Sequence, residues 1–326
     1  MEGHMLYSIN LAPERDTLDG RHLVRLTELW IDACHSRIDP YTVSGYQDKI
    51  RYFVTWWTDV GPWHQHEIDK DLFLAFAKWL KSTTTEQGKP LSYNTRNDVL
   101  RRLRQCLKWA KDEGFTAQRD FSIWVPHADG AAPLRSVVPV DALKRLMASA
   151  GESSAPIRDV AILSLFIQTG VRRAECASIQ IESITMAADH SGSLRVVGKR
   201  TKRNKTGERI VAFDGVCGRY LDAWLTATNR HIGPLFVAAD GVALTAQGIA
   251  KAVKRVIRAA GLDASVQGCH DLRRAFVTHW RKYHRGAGYD HLLRMQVGHS
   301  SDAVSDLYDL ADMDDLQMAI RGPLSG

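Results

Sequence analysis

TGVRRAE, from Thr169 to Glu175, closes a strongly apolar segment and opens the half of the chain in which the charge pattern changes. The apolar segment, Ile157 to Gln168, has the composition of a buried helix, and Gly170 stands where a helix stop or tight turn belongs. Upstream, Val140 to about Ser149 reads as another helix. Downstream the period shifts from helical to alternating. Leu194-Arg195-Val196-Val197 and Arg209-Ile210-Val211-Ala212-Phe213 read as two strands of a hairpin around a polar stretch. Thr245 to Ala260 is a basic amphipathic helix with Thr245 as its N-cap, and helices are expected at 270–284 and 289–296.

The residues before this half read as helical throughout. Thr42 to Trp57 carries Val43, Tyr46, Ile50, Phe53 and Trp57 at steps of three and four, the spacing of one buried helix face. Leu72 to Leu80 gives a shorter helix. After Ser92, an apolar stripe of Val99, Leu100, Leu103, Cys106, Leu107 and Ala110 leaves Arg101, Arg102, Arg104, Lys108 and Lys111 in the remaining positions. That basic face fits either a solvated surface or a helix laid along nucleic-acid phosphates. Helical spacing assigns Trp57, Trp79 and Trp109 to the core. Between Trp124 and Pro139, VPHADGAAPLRSVVP has no periodicity and reads as a linker. The expected organisation is an N-terminal extension over 1–24, a helical domain over 25–125, a linker over 126–138, a second domain over 139–310 and a tail over 311–326. Residues 1–4 resemble vector-derived sequence, with the native start expected at Met5. In the tail, Met313, Leu316 and Ile320 follow Asp312 at helical spacing.

Composition narrows the function classes. With 44% hydrophobic and 25% charged residues the chain reads as soluble, no apolar run approaches the ~20 residues of a membrane span, and no cleavable signal opens it. Five cysteines without a CxxC pair argue against a disulfide framework and a zinc ribbon. Cys269 beside His270 is conceivable as a nucleophile, and His64-Gln65-His66 as a metal-ligand pair, but neither has the neighbours such sites require. Residues 1–130 carry 17 Lys+Arg against 18 Asp+Glu, a net of −1. Residues 131–326 carry 26 against 19, a net of +7, so the second half holds the surface that attracts a polyanion.

Within that half the order is Arg172 and Glu175 in TGVRRAE, His270 and Arg273 in HDLR, Gly298-His299, and Tyr308. Metal-free cleavage of a phosphodiester needs a nucleophile, cations on the non-bridging oxygens and an acid for the departing oxygen. Tyr308 can attack once its proton, with an ordinary pKa near ~10, is removed. Arg172 and Arg273 offer planar donors to the phosphate, histidines move protons, and a hairpin lysine can serve as the acid. Lys199, Lys202 and Lys205 all lie in the hairpin. Strand alternation puts Lys202 and Lys205 on opposite faces.

This order, with His299 and Tyr308 nine residues apart, resembles the tyrosine recombinase, or phage integrase, family. The resemblance implies a mainly α fold with a small antiparallel β-sheet in the catalytic domain, and a two-domain, C-shaped clamp on DNA. It implies attack by Tyr308 to leave a 3′-phosphotyrosine, proton movement by His270, phosphate donation by His299 and support of the arginines by Glu175, with no metal, nucleotide or other cofactor. It favours Lys205 as the acid, since Lys-Thr-Gly-x-Arg is similar to the family's turn, with Lys202 second. Arg274 stands where a second histidine is common, and Ala174, Cys176 and Val297 also depart from the usual residues. Expected partners are double-stranded DNA recombination sites, bound by a chain that is monomeric in solution and tetrameric on two sites, with accessory DNA-bending proteins as candidates. No membrane is expected, and the location is cytoplasmic and nucleoid-associated. The terminal helix is expected to dock either on a neighbouring protomer or on its own domain. Beyond Arg101, Arg102, Arg104 and Lys108, the candidate DNA contacts are Arg200, Arg203, Lys251, Lys254, Arg255 and Arg274. A type IB topoisomerase and a non-cleaving DNA-binding regulator remain the alternatives.

Overall fold

Short polar side chains start the helices of the first half. Asp39 accepts hydrogen bonds from the backbone N–H of Tyr41 and Thr42 and is followed by Pro40, which opens α2 (Pro40–Asp59). Asp69 caps α3 (Lys70–Ser82) through Leu72 N, and Ser92 caps α4 (Tyr93–Asp112) through Thr95 N. A further helix, α1 (Gly20–His35), precedes them and begins inside the segment expected as an extension. It buries Leu23, Leu26, Trp30, Ile31 and Cys34, again at helical steps. The computed structural model describes residues 20–60, 68–116, 119–131, 137–198, 207–284, 287–298, 316, 319–320 and 323–324. It divides into two units, Met1–Leu134 and Arg135–Gly326.

In the first unit, Phe53, Phe76 and Leu103, all without exposure, join residues of α1, α2, α3 and α4 in one apolar core. The start of the expected linker is not free chain. Arg96 Nη2 donates to Asp129 O at 3.3 Å, and Arg104 Nη1 lies 3.2 Å from His127 Nε2, so residues 127–129 are held on α4.

The second unit runs α5 (Val140–Gly151), α6 (Pro156–Thr169), α7 (Arg173–Ser178), β1 (Ile184–Met186), β2 (Gly192–Val197), β3 (Glu208–Phe213), α8 (Gly215–Thr228), α9 (Ala246–Ala259), α10 (Cys269–Tyr283) and α11 (Ala287–Val297). Every residue of α6 from Ala161 to Thr169 is buried, which explains its near-continuous apolar sequence. The sheet has the order β1-β2-β3, antiparallel, with Gly192 opposite Phe213 and Val197 opposite Glu208. The fold is therefore mainly α with a small antiparallel sheet, as expected. α7, β1 and α8 have no counterpart in the sequence reading.

Leu316 and Ile320 share an apolar cluster with Phe276, Trp280, Leu292, Leu293 and Val297 of the same chain. The N–H of Leu324 donates to Gln168 Oε1 at 3.0 Å. Met313 lies outside the described residues.

Gly170 ends α6 with φ +66° and lies against the Phe276 ring; a Cβ there would stand 2.6 Å from Phe276 Cδ1. Phe276→Ala removes a fully buried ring and is expected to destabilise by about 3–5 kcal/mol, measured by urea unfolding of the full chain.

Candidate active site

Arg172 directly precedes α7, and Glu175 occupies the first turn of that helix. The carboxylate folds back on the chain: Oε2 accepts the Arg172 backbone N–H at 2.7 Å, and Oε1 accepts Arg172 Nη1 at 2.8 Å. The same two oxygens accept the fork of Arg209 from β3, Nη1 on Oε1 and Nη2 on Oε2, the latter at 2.8 Å. One buried carboxylate thus serves two guanidiniums.

A third arginine completes the cluster. Arg273 lies in the second turn of α10, 5% exposed, and donates through Nη1 to Gly170 O at 2.5 Å and through Nη2 to Val297 O at 2.6 Å. Arg172 Nη2 donates to Gly298 O at 2.6 Å, and Arg209 Nε to Gln296 O at 3.1 Å. Three successive carbonyls at the end of α11 therefore each accept from a different arginine. These are the acceptors a helix C-terminus leaves unpaired, and its dipole favours cations there. Gln296, fully buried, braces the turn from behind: Nε2 donates to the carbonyls of Thr169 and Ala212 at 3.2 and 2.8 Å, and Oε1 accepts Ala212 N at 3.0 Å.

Glycine is required where the turn meets this cluster. Gly298 has φ +63°, and a Cβ on it would lie 3.1 Å from Arg209 Nε and 3.2 Å from Arg172 Nη1.

The electrostatics follow from three cations around one carboxylate. Burial pushes the Arg273 guanidinium down to about 10, assisted by the nearby charges of Arg172 and Arg209. Burial alone would raise the Glu175 carboxyl; hydrogen bonds and charge from Arg209, then the donors of Arg172, overcome it and hold the carboxyl at about 2. The cluster keeps an excess of positive charge, and the Arg172 side chain, 41% exposed, brings that charge to the surface. Such an arrangement binds an oxyanion and stabilises charge that develops on it.

Arg172 and Glu175 are thus brought together with Arg273, about a hundred residues further along the sequence. His270 is exposed on α10, one turn before Arg273. Lys202, Lys205, His299 and Tyr308, with Arg200 and Arg203, lie outside the described residues, as do Lys199, His64 and His66. Sequence reading passed over Arg209. Its signal was the alternation of β3: Val211 and Phe213 face inward, so Arg209 must too, and an inward arginine demands a partner.

The candidate DNA contacts differ among themselves. Lys108, Lys251 and Lys254 are exposed, and Arg101 is exposed but paired with Asp98. Arg102 stacks over the Tyr46 ring at 3.9 Å, and Tyr46 stacks on Trp30, so this side chain is engaged between helices of the first unit. Arg104 is half-buried beside His127. Arg255 reaches the buried carboxylate of Asp159 at 2.5 Å, tying α9 to α6, and Arg274 lies 3.4 Å from Asp271. Cys269 is buried, and burial pushes its thiol up to about 11, which leaves it protonated and a poor nucleophile at neutral pH. Among the described residues no group of three or more metal-ligating side chains occurs, and no helix is long and apolar enough to cross a membrane.

Glu175→Gln removes the shared carboxylate from two guanidiniums and is expected to cost about 3–5 kcal/mol of stability. The wild-type carboxyl lies below its ordinary value of 4.5, so its contribution is complete above that pH and is lost as pH falls through about 2. The stability difference between wild type and Glu175→Gln should be constant above about pH 5 and shrink below it, as read by denaturant unfolding across pH. A difference independent of pH down to acid would contradict the assignment.

The chain is similar to known proteins in sequence and in fold. The phage integrase family matches residues 136–313, and the phage integrase SAM-like domain matches residues 31–124. Tyrosine recombinase XerC of Alcanivorax borkumensis is 27% identical over 299 residues, covering 89% of this chain and 90% of the relative. A lambda integrase (75-356) dimer bound to a COC′ core site superposes with TM-score 0.63 at 17% identity, over 88% of this chain and 99% of that one. A lambda integrase tetramer bound to a Holliday junction does so with TM-score 0.65 at 15% identity, over 95% and 86%. The family match spans more than half of the sequence and contains the whole arginine cluster, so the chain belongs to the phage integrase family, the site-specific tyrosine recombinases that cleave and rejoin DNA.

Proposed function

We propose that the arginine cluster holds the scissile phosphate of a duplex DNA site, and that Tyr308 attacks it to form a 3′-phosphotyrosine and release a 5′ hydroxyl. The observation that carries this reading is the convergence of Arg172 and Arg273 on one turn where, among the described residues, Glu175 is the carboxylate set against three guanidiniums. Arg172 and Arg273 neutralise the non-bridging oxygens. Lys205, or Lys202 as the second choice, protonates the departing 5′ oxygen, His270 assists proton movement at the tyrosine, and His299 donates to the phosphate. Reversal by the 5′ hydroxyl of a partner strand reseals the DNA. The bond energy is kept in the phosphotyrosine, so the scheme needs neither metal nor nucleotide.

The relatives support a finer reading of the assembly. The solved integrases include a dimer on a core site and a tetramer on a Holliday junction. We infer the same progression for this chain, monomeric in solution and tetrameric on two sites, with a nucleoid location and accessory DNA-bending proteins as candidate helpers. Domain limits of 25–125 and 139–310, joined by the linker, suit a clamp on each site. Lys108, Lys251 and Lys254 are the exposed cations suited to backbone contacts.

A nicked suicide substrate tests the chemistry. Wild type should accumulate a covalent protein–DNA adduct in the presence of excess chelator, and Tyr308→Phe should form none. Arg172→Ala or Arg273→Ala should slow adduct formation by about 10²–10³. Binding without any wild-type adduct would favour the non-cleaving regulator. Plasmid relaxation without inversion, excision or integration would favour the topoisomerase.

A further inference from the structure

Arg209 is the member of the cluster that reaches nothing outside the protein. It is 6% exposed and sits on the inward face of β3 in line with Val211 and Phe213. Apolar side chains in place of both Arg209 and Glu175 would spare the desolvation of two charges, so fold stability alone is a poor reason for the pair. What the guanidinium does is join three elements. Two of its nitrogens hold both oxygens of Glu175 on α7, and Nε holds Gln296 O at the end of α11, while its own backbone belongs to the sheet.

Those contacts determine where Arg172 can point. Glu175 accepts from Arg172 at both its backbone N–H and Nη1, so a carboxylate clamped by Arg209 fixes the base and the head of the Arg172 side chain together. Gly198 presses on the same carboxylate, since a Cβ there would lie 2.8 Å from Glu175 Oε1. At the other end, Arg209 and Arg172 flank Gly298 at near-contact distance, so the turn that accepts from Arg172 and Arg273 is seated on Arg209 as well.

We propose that Arg209 is a positioning residue for DNA cleavage: acting through Glu175 and the Gln296–Gly298 turn, it holds Arg172 in the orientation that meets the phosphate, without touching the DNA itself. This rests on the reading of Arg172 and Arg273 as the phosphate holders. Among the described residues, the charged groups facing Glu175 are Arg209 from β3, Arg172 at the start of α7 and, more distantly, Arg273 from α10. With Arg209 gone, burial acts on the carboxyl against Arg172 as the main remaining cation, and its affinity for a proton rises.

The test is single-turnover adduct formation by the full chain on a nicked duplex between pH 5 and 8, beside DNA affinity and thermal unfolding. The variants are Arg209→Lys, Arg209→Met and the double variant Arg209→Met/Glu175→Gln. Arg209→Lys and Arg209→Met should slow adduct formation by about 100-fold while the DNA dissociation constant stays within about twofold. The Arg209→Met rate should fall further as pH drops, whereas wild type and the double variant lack that added acid limb. If Arg209→Met does not fold, Arg209→Lys and the double variant, which buries no lone carboxylate, carry the comparison. Wild-type rates in Arg209→Lys and the double variant, or a loss of DNA affinity that parallels the loss of rate, would overturn the proposal. No adduct from wild type would instead remove the phosphate-holding reading on which it rests.

Discussion

The end of α11 is where a difficulty of helix chemistry and a difficulty of charge burial solve each other. The carbonyls of Gln296, Val297 and Gly298 lie where a helix runs out of its own donors, and the guanidiniums of Arg209 and Arg273 lie where cations have lost water. Each group supplies what the other lacks. Because the arginines come from the start of α7, from β3 and from α10, meeting this demand also gathers the three elements. The fit continues in the backbone: Gly298 must adopt a left-handed conformation and must lack a side chain, and Gly170 meets the same two conditions against Phe276.

Among the described residues the cluster carries a net positive charge, which attracts anions. A single carboxylate between two arginines, with a third nearby, lowers the repulsion enough for the protein to fold but leaves an unspent attraction for anions. The depressed Arg273 and the strongly acidic Glu175 are two expressions of that imbalance. Glu175 stays ionised far below neutral pH, so the charge of this carboxylate is constant through the neutral range. Proton transfer is left to other groups.

Sequence reading recovered what depends on local rules. Thr245 is an N-cap, Gly170 is a helix stop, and 194–197 and 209–213 form two strands of a hairpin, all readable from the local pattern of residues. It recovered Arg172 and Arg273 as a pair only through their order along the chain, since no periodicity links residues so far apart. What escaped it depends on partners from other elements. Arg102 looked like outer surface on a helical wheel, but Tyr46 of α2 stacks on it. Arg255 looked like a free cation, but Asp159 of α6 holds it. α8 was passed over because its apolar residues are mixed with Gly, Thr and Asp, although Asp214 caps it at Cys217 N. Arg209 escaped because a strand reading records alternation and does not ask what an inward charge will meet.

The described members of the arginine cluster, donors and acceptors alike, all fall after residue 135, within the second unit. A substitution made in α1 to α4 therefore changes no described donor or acceptor of that cluster.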